Sequence, residues 1–147
     1  MFRKHLATTL TVLLAVGIGY VGISYLFFPA ATAPQFGMAV WPEGDAATFL
    51  VTKGARDLTS GLVPLALLLT GQRRALGWVL TIWTLVPLSD AALILSTGGS
   101  TVTALAVHGV TALALVVTGV LLLTEKPAPA TRTIAPTTAP QGASSSR

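Results

Sequence analysis

The chain has 147 residues, 52% of them hydrophobic and only 10% charged, with a mean hydropathy of +0.76, which excludes a small soluble enzyme and predicts a chain whose solvent is the bilayer. With no cysteine, disulfides, thiolate metal sites, iron–sulfur clusters and a cysteine nucleophile are excluded. The net charge of +4 comes from basic residues in ones and twos at the ends of apolar runs, not from a basic stripe with interleaved aromatics, which excludes nucleic acid as a partner and leaves the lipid bilayer as the expected one.

The first apolar run, about 6–28, follows Arg3, Lys4 and His5. Its length is that of a spanning helix rather than of the roughly 7–15-residue core of a secretory signal. Pro34 follows the nearby Ala31-Thr32-Ala33, so this run is expected to stay uncleaved. Pro29, Pro34, Gly37, Pro42 and Gly44 then predict a loop that rests partly in the headgroup layer through Phe36 and Trp41. A second run, about 46–70, carries Lys53, Arg56 and Asp57 in its first half and Pro64 further along. After the tight basic turn Gly71-Gln72-Arg73-Arg74, a third run, about 75–95, contains Pro87 and Asp90. A fourth, about 101–124, contains His108 and stops at Glu125-Lys126. Residues 127–147 are Pro, Ala, Thr, Ser and Gly with almost nothing bulky and apolar, and are expected to be disordered.

This pattern predicts an all-α fold: a four-transmembrane-helix bundle over residues 1–126, followed by the tail. An even number of spans puts Arg3 and Lys4, Arg73 and Arg74, and Lys126, Arg132 and Arg147 on one side. By the positive-inside rule both termini are then cytoplasmic, residues 29–46 are outside, and the chain is a multi-pass protein of the cytoplasmic membrane.

Ionisable groups inside a span cost several kcal/mol unless they find partners, water or a function. Asp57 lies 16 residues before Arg73, Asp90 lies 16 after Arg74, and His108 lies 17 before Glu125. At a rise of ~1.5 Å per residue all three come out near ~24 Å from the cytoplasmic boundary. Sparse polar residues on three helices are thus expected in one layer, about a turn below the outer face, with Lys53 a turn above Asp57. Lys53, Asp57, Ser60, Gly61 and Pro64 share one helical face, and so do Trp83, Pro87, Asp90 and Ile94. Pro64 and Pro87 withhold the amides that would bond the Ser60 and Trp83 carbonyls. Small residues, Ala15, Gly19 and Gly22 on the first span and Gly109, Ala112 and Gly119 on the fourth, permit close helix approach.

Arg56 projects about 100° from Asp57, and the expected pairs are Arg56 with Asp90, and Asp57 with Lys53 or His108. On that pairing, Arg56→Ala would destabilise the bundle more than Arg73→Ala, because only the former leaves a buried carboxylate unpaired. The leading functional expectation is a polar pocket near the outer face that binds, and converts by acid–base chemistry, a small lipophilic molecule. In it Asp90, Asp57 and His108 are the catalytic set, and Arg56, Lys53, Ser60 and Trp83 hold the ligand. Two rivals are a proton-coupled transporter, which at this size needs a homo-oligomer to enclose a path, and a structural or accessory subunit in which the same residues fix helix register. One embedded histidine does not make a metal site, and no motif calls for a cofactor.

The order of motifs also resembles a family of small four-span bacterial and fungal integral membrane proteins, domain of unknown function family 4267. The matching pieces are Pro29 and Pro34-Gln35-Phe36-Gly37, the run Lys53-Gly54-Ala55-Arg56-Asp57 with Gly61, Pro87-Leu88-Ser89-Asp90, and Val107-His108-Gly109. The resemblance covers roughly residues 20–124. It implies four helices in one bundle and singles out Arg56, Asp57, Asp90 and His108; it implies no activity.

Overall fold

The computed structural model describes residues 2–125, and over these the chain is helical, with no strand among the described residues. The expected tail, 127–147, lies outside the described residues. Helix α1 runs Phe2–Phe27, α2 Pro29–Thr32, α3 Thr48–Leu69, α4 Arg73–Trp83, α5 Leu85–Ser96, α6 Thr101–Thr103 and α7 Val110–Leu123. Short 3₁₀ turns occupy Ala33–Phe36 and Gly44–Ala47, and a π-helical segment, Ala104–Gly109, joins α6 to α7.

Three stretches are long and apolar enough to cross a membrane: Phe2–Phe27, Arg73–Ser96 and Thr101–Leu123. Helix α3, 22 residues long, matches them in length but carries Lys53, Arg56 and Asp57. Leu13, Leu69 and Leu113 turn outward, whereas Thr11 and Thr118 are fully buried. The buried threonines remain satisfied because each hydroxyl donates to the carbonyl four residues back, Ala7 at 2.8 Å and Ala114 at 2.7 Å. The interior combines threonine, alanine and glycine with a leucine cluster, Leu76, Leu80, Leu115 and Leu122 packed with Ala7, and its small residues permit the close backbone approach by which helices associate in lipid.

Two antiparallel helix pairs result. In the first, α1 lies along α3 through glycines. A methyl on Gly54 would sit 2.8 Å from the Gly22 carbonyl oxygen, one on Gly61 would sit 2.6 Å from the Ala15 carbonyl oxygen, and one on Gly22 would strike the Leu58 amide nitrogen. In the second, α4 lies along α7, with Gly77 against Leu122 and Leu123, and Gly119 against Thr81 and Gly77. Gly71 and Gly98, at φ of 73° and 71°, close α3 and α5 in the same way. Gln72 and Gly99 amides reach back to the Leu67 and Ile94 carbonyls, each at 2.8 Å, and only glycine takes this left-handed position without strain.

At one end of the bundle Arg73 ties three elements together. Its Nε and Nη2 donate to the two carboxylate oxygens of Glu125, each at 2.6 Å, its Nη1 to Thr8 Oγ1 at 3.0 Å, and its Nη2 also to the Lys4 carbonyl at 3.3 Å. The Arg73 guanidinium holds the Glu125 carboxyl below the usual carboxylate range.

Three local features differ from the sequence expectation. The segment after Pro29 is not an open loop. Proline in the first helical positions suits both α2 and the 3₁₀ turn, so the chain folds back over the bundle end until Gly37, at φ 99°, turns it away. The third run breaks at Thr84, where Pro87 offers no amide to the Trp83 carbonyl. The π segment inserts a wider turn around His108, for which composition carries no signal.

Candidate functional site

Between the two helix pairs lies a cavity of about 680 Å³. Apolar side chains form its length, among them Leu10, Leu14 and Ile18 of α1 with Leu80 of α4 and Leu115 of α7. Its polar equipment sits at the end covered by the 3₁₀ turn: Lys53, Asp57 and Ser60 from α3, Trp83 from the end of α4, Asp90 from α5, and His108 from the π segment. Each proline placed a turn from a polar residue, Pro64 and Pro87, lines the same cavity.

The local geometry follows from helix spacing. Lys53 and Asp57 are four residues apart on one face, and the Lys53 Nζ donates to Asp57 Oδ2 at 2.5 Å. The same ammonium lies 4.9 Å from the centre of the Tyr25 ring and 5.3 Å from that of Phe36, so two π-faces and a carboxylate surround it. Asp57 is buried, a cost that the lysine offsets. Across the cavity His108 Nδ1 is 3.6 Å from Asp90 Oδ2, with side-chain exposures of 12% and 25%. His108 Nε2 is 3.3 Å from the Phe36 carbonyl oxygen, and the two rings meet edge to face at 5.0 Å. With one nitrogen toward a carbonyl and the other toward a carboxylate, the imidazole is oriented between the cover of the cavity and Asp90.

Of the residues singled out in the sequence, Lys53, Asp57, Ser60, Trp83, Asp90 and His108 all line this cavity. Arg56 does not. It is exposed, on a strip with Thr52, Ala55 and Thr59 on the outer side of α3, and among the described residues it forms no ion pair with Asp90, whose neighbour within 4.0 Å is the His108 imidazole. A rotation of 100° from Asp57 takes the side chain past the neighbouring helices, not onto α5. Of the alternatives for Asp57, the structure has Lys53. The expected order of the two arginine variants is accordingly reversed, since the arginine that supports a nearly buried carboxylate is Arg73.

Two further residues join the polar end. Tyr25, 2% exposed, lies three residues after Gly22 and so continues the small-residue stripe of α1, a spacing that points it inward. Phe36, expected in the headgroup layer, is turned in by the 3₁₀ fold of Ala33–Phe36, which no periodicity in so short a segment announces. Among the described residues no group of three His, Asp or Glu is placed to hold a metal ion.

Helices of this length and hydropathy, with many large apolar side chains turned outward, around a cavity whose charges are gathered at one end, define a helical membrane protein. The chain belongs to the family described as Domain of unknown function (DUF4267), whose model matches residues 4–122. That range contains every residue that lines the cavity, from Leu10 to Leu115. No curated protein and no solved structure matches the chain.

Proposed function

We propose that this is a four-span protein of the cytoplasmic membrane that binds a small lipophilic molecule between its two helix pairs. The fourth span is α3, which runs beside α1 from Gly54 at one end to Gly61 and beyond at the other, so a bilayer that covers one covers both. Arg3, Lys4, Arg73 and Arg74 gather at one end of the bundle while Glu43 and Asp45 lie in the connection at the other, which supports cytoplasmic termini. Arg56, on the outer side of α3, then extends along the helix toward the headgroups.

The observation that carries the reading is the division of one cavity into an apolar length and a polar end. Its volume of about 680 Å³ falls inside the range of roughly 300–1,000 Å³ typical of small-molecule sites. Leu13, Tyr20 and Val107 belong to its lining and are also well exposed, so the cavity opens sideways, toward lipid. A ligand dissolved in the bilayer enters there and brings a polar group to Asp90 and His108, a carboxylate and an imidazole placed to pass a proton to or from it.

Native mass spectrometry of the protein extracted from membranes tests this. Gly17 lines the cavity, and a Cβ added there meets nothing within 4 Å, so Gly17→Trp introduces an indole at the lining from a position where its first carbon is accommodated. The expected result is a retained small molecule on the wild type and none on Gly17→Trp. Identical, ligand-free spectra for both would remove the reading.

A further inference from the structure

The polar end holds one lysine and two aspartates beside His108, with Arg56 outside it. The lysine is already paired with a carboxylate: Asp57 accepts from it at 2.5 Å, and the Tyr25 and Phe36 rings lie 4.9 Å and 5.3 Å from its nitrogen. An anionic headgroup would have to approach this ammonium with the Asp57 carboxylate beside it. Asp90 is differently placed. Its carboxylate stands 3.6 Å from His108 Nδ1, beyond hydrogen-bond reach, it accepts no hydrogen bond among the described residues, and its side chain is 25% exposed on the cavity. Nearby, Pro64 and Pro87 line the cavity and leave the Ser60 and Trp83 carbonyls without the amides of a regular helix. The site therefore holds more carboxylates than cations, and its lysine is already paired with one of them.

Resting on the reading of the cavity as a ligand pocket, we infer that its ligand is a lipophilic amine, whose ammonium group sits against the Asp90 carboxylate while its single apolar chain lies along Leu10, Leu14 and Ile18. An ammonium supplies N–H donors and no acceptor, which complements a carboxylate with open lone pairs. In surroundings of low dielectric, the pairing of opposite charges outweighs what the same contact is worth in water. Tyr25 and Phe36 flank Lys53, whose ammonium bonds to Asp57 and not to Asp90.

Three probes with the same chain separate the possibilities: dodecylammonium, dodecanoate and dodecanol, titrated into the protein in zwitterionic nanodiscs, with binding to empty nanodiscs subtracted. Dodecylammonium is expected to bind about tenfold more tightly than dodecanol, the weight of one charge-assisted contact, and dodecanoate more weakly than either. Asp90→Asn is expected to remove the preference, with dodecylammonium no tighter than dodecanol on that variant, and Asp90→Glu to restore much of the difference. Dodecanoate binding tightest, or an amine preference that survives Asp90→Asn, would overturn the assignment; if Asp90→Asn does not fold, the wild-type ranking of the three probes decides it. Equal, saturable binding of all three probes that Gly17→Trp abolishes would keep the pocket and discard the ammonium group. No saturable binding of any probe would discard both.

Discussion

Removing Arg73 should be among the most damaging single changes outside the helix contacts, and removing Arg56 among the mildest. Arg73 donates to both carboxylate oxygens of Glu125 at 2.6 Å, to Thr8 Oγ1 at 3.0 Å and to the Lys4 carbonyl at 3.3 Å, thereby joining α1, the start of α4 and the end of α7. A hydrogen bond to a charged group contributes about 1.5–3 kcal/mol. Water at the bundle end replaces part of what Arg73→Ala removes, because its side chain is 26% exposed, but the Glu125 side chain, 10% exposed, loses its partner. The expected loss is about 2–3 kcal/mol. Arg56 is exposed and forms no ion pair among the described residues, so Arg56→Ala should stay within about 0.5 kcal/mol of wild type. Reversible unfolding in mixed micelles, with Glu125→Gln and the Arg73→Ala/Glu125→Gln double variant to close the cycle, measures both changes and their coupling. Equal losses for Arg73→Ala and Arg56→Ala, or a coupling energy near zero between Arg73 and Glu125, would refute the reasoning.

The same pair sets a pH dependence. Hydrogen bonds from Arg73 lower the Glu125 carboxyl from its ordinary value of 4.5, so the stabilisation is fully present above that value and is lost as pH falls through the lowered folded value. Acid titration of wild-type stability should slope in that window, and Arg73→Ala should flatten the slope; parallel curves would show that Glu125 titrates alike in both states. Gly61→Ala places a methyl 2.6 Å from the Ala15 carbonyl oxygen and should cost about 1–3 kcal/mol as α1 and α3 part, whereas Gly17→Ala, with nothing within 4 Å, should be neutral or stabilising by up to about 1 kcal/mol. Thermal unfolding of the two variants that showed no difference would deny the glycine contact. Because the chain has no cysteine, single substitutions report sidedness cleanly. A membrane-impermeant maleimide on intact cells should label Gly44→Cys and leave Gln72→Cys unlabelled until the cells are opened, and the reverse pattern would invert the proposed orientation.

The helical, membrane-spanning character of the chain was legible because apolar length and the punctuation by Pro29 and Gly71 are local properties of the chain. The inward face of α3 was legible too, since the spacing of Lys53, Asp57, Ser60, Gly61 and Pro64 admits only one side of a helix. What a helical wheel does not contain is the identity of the neighbour at a given angle. Arg56 was therefore assigned to Asp90, although its side of α3 faces outward. Arg73 was read as a topogenic charge, because its partner Glu125 lies 52 residues away and adjacency at the ends of two spans is a tertiary fact. Phe36 and the π turn at His108 escaped for a related reason: four residues of 3₁₀ helix and a single widened turn are decided by what they pack against, here each other.

The central claim is that residues from α3, α5 and the π segment share one cavity while Arg56 lies outside it. Paired cysteines in the otherwise cysteine-free chain test it in native membranes with a short bifunctional thiol reagent. Asp90→Cys with His108→Cys should cross-link rapidly, as their native side chains lie 3.6 Å apart, and Arg56→Cys with Asp90→Cys should not. A prompt link between positions 56 and 90 with none between 90 and 108 would contradict the account.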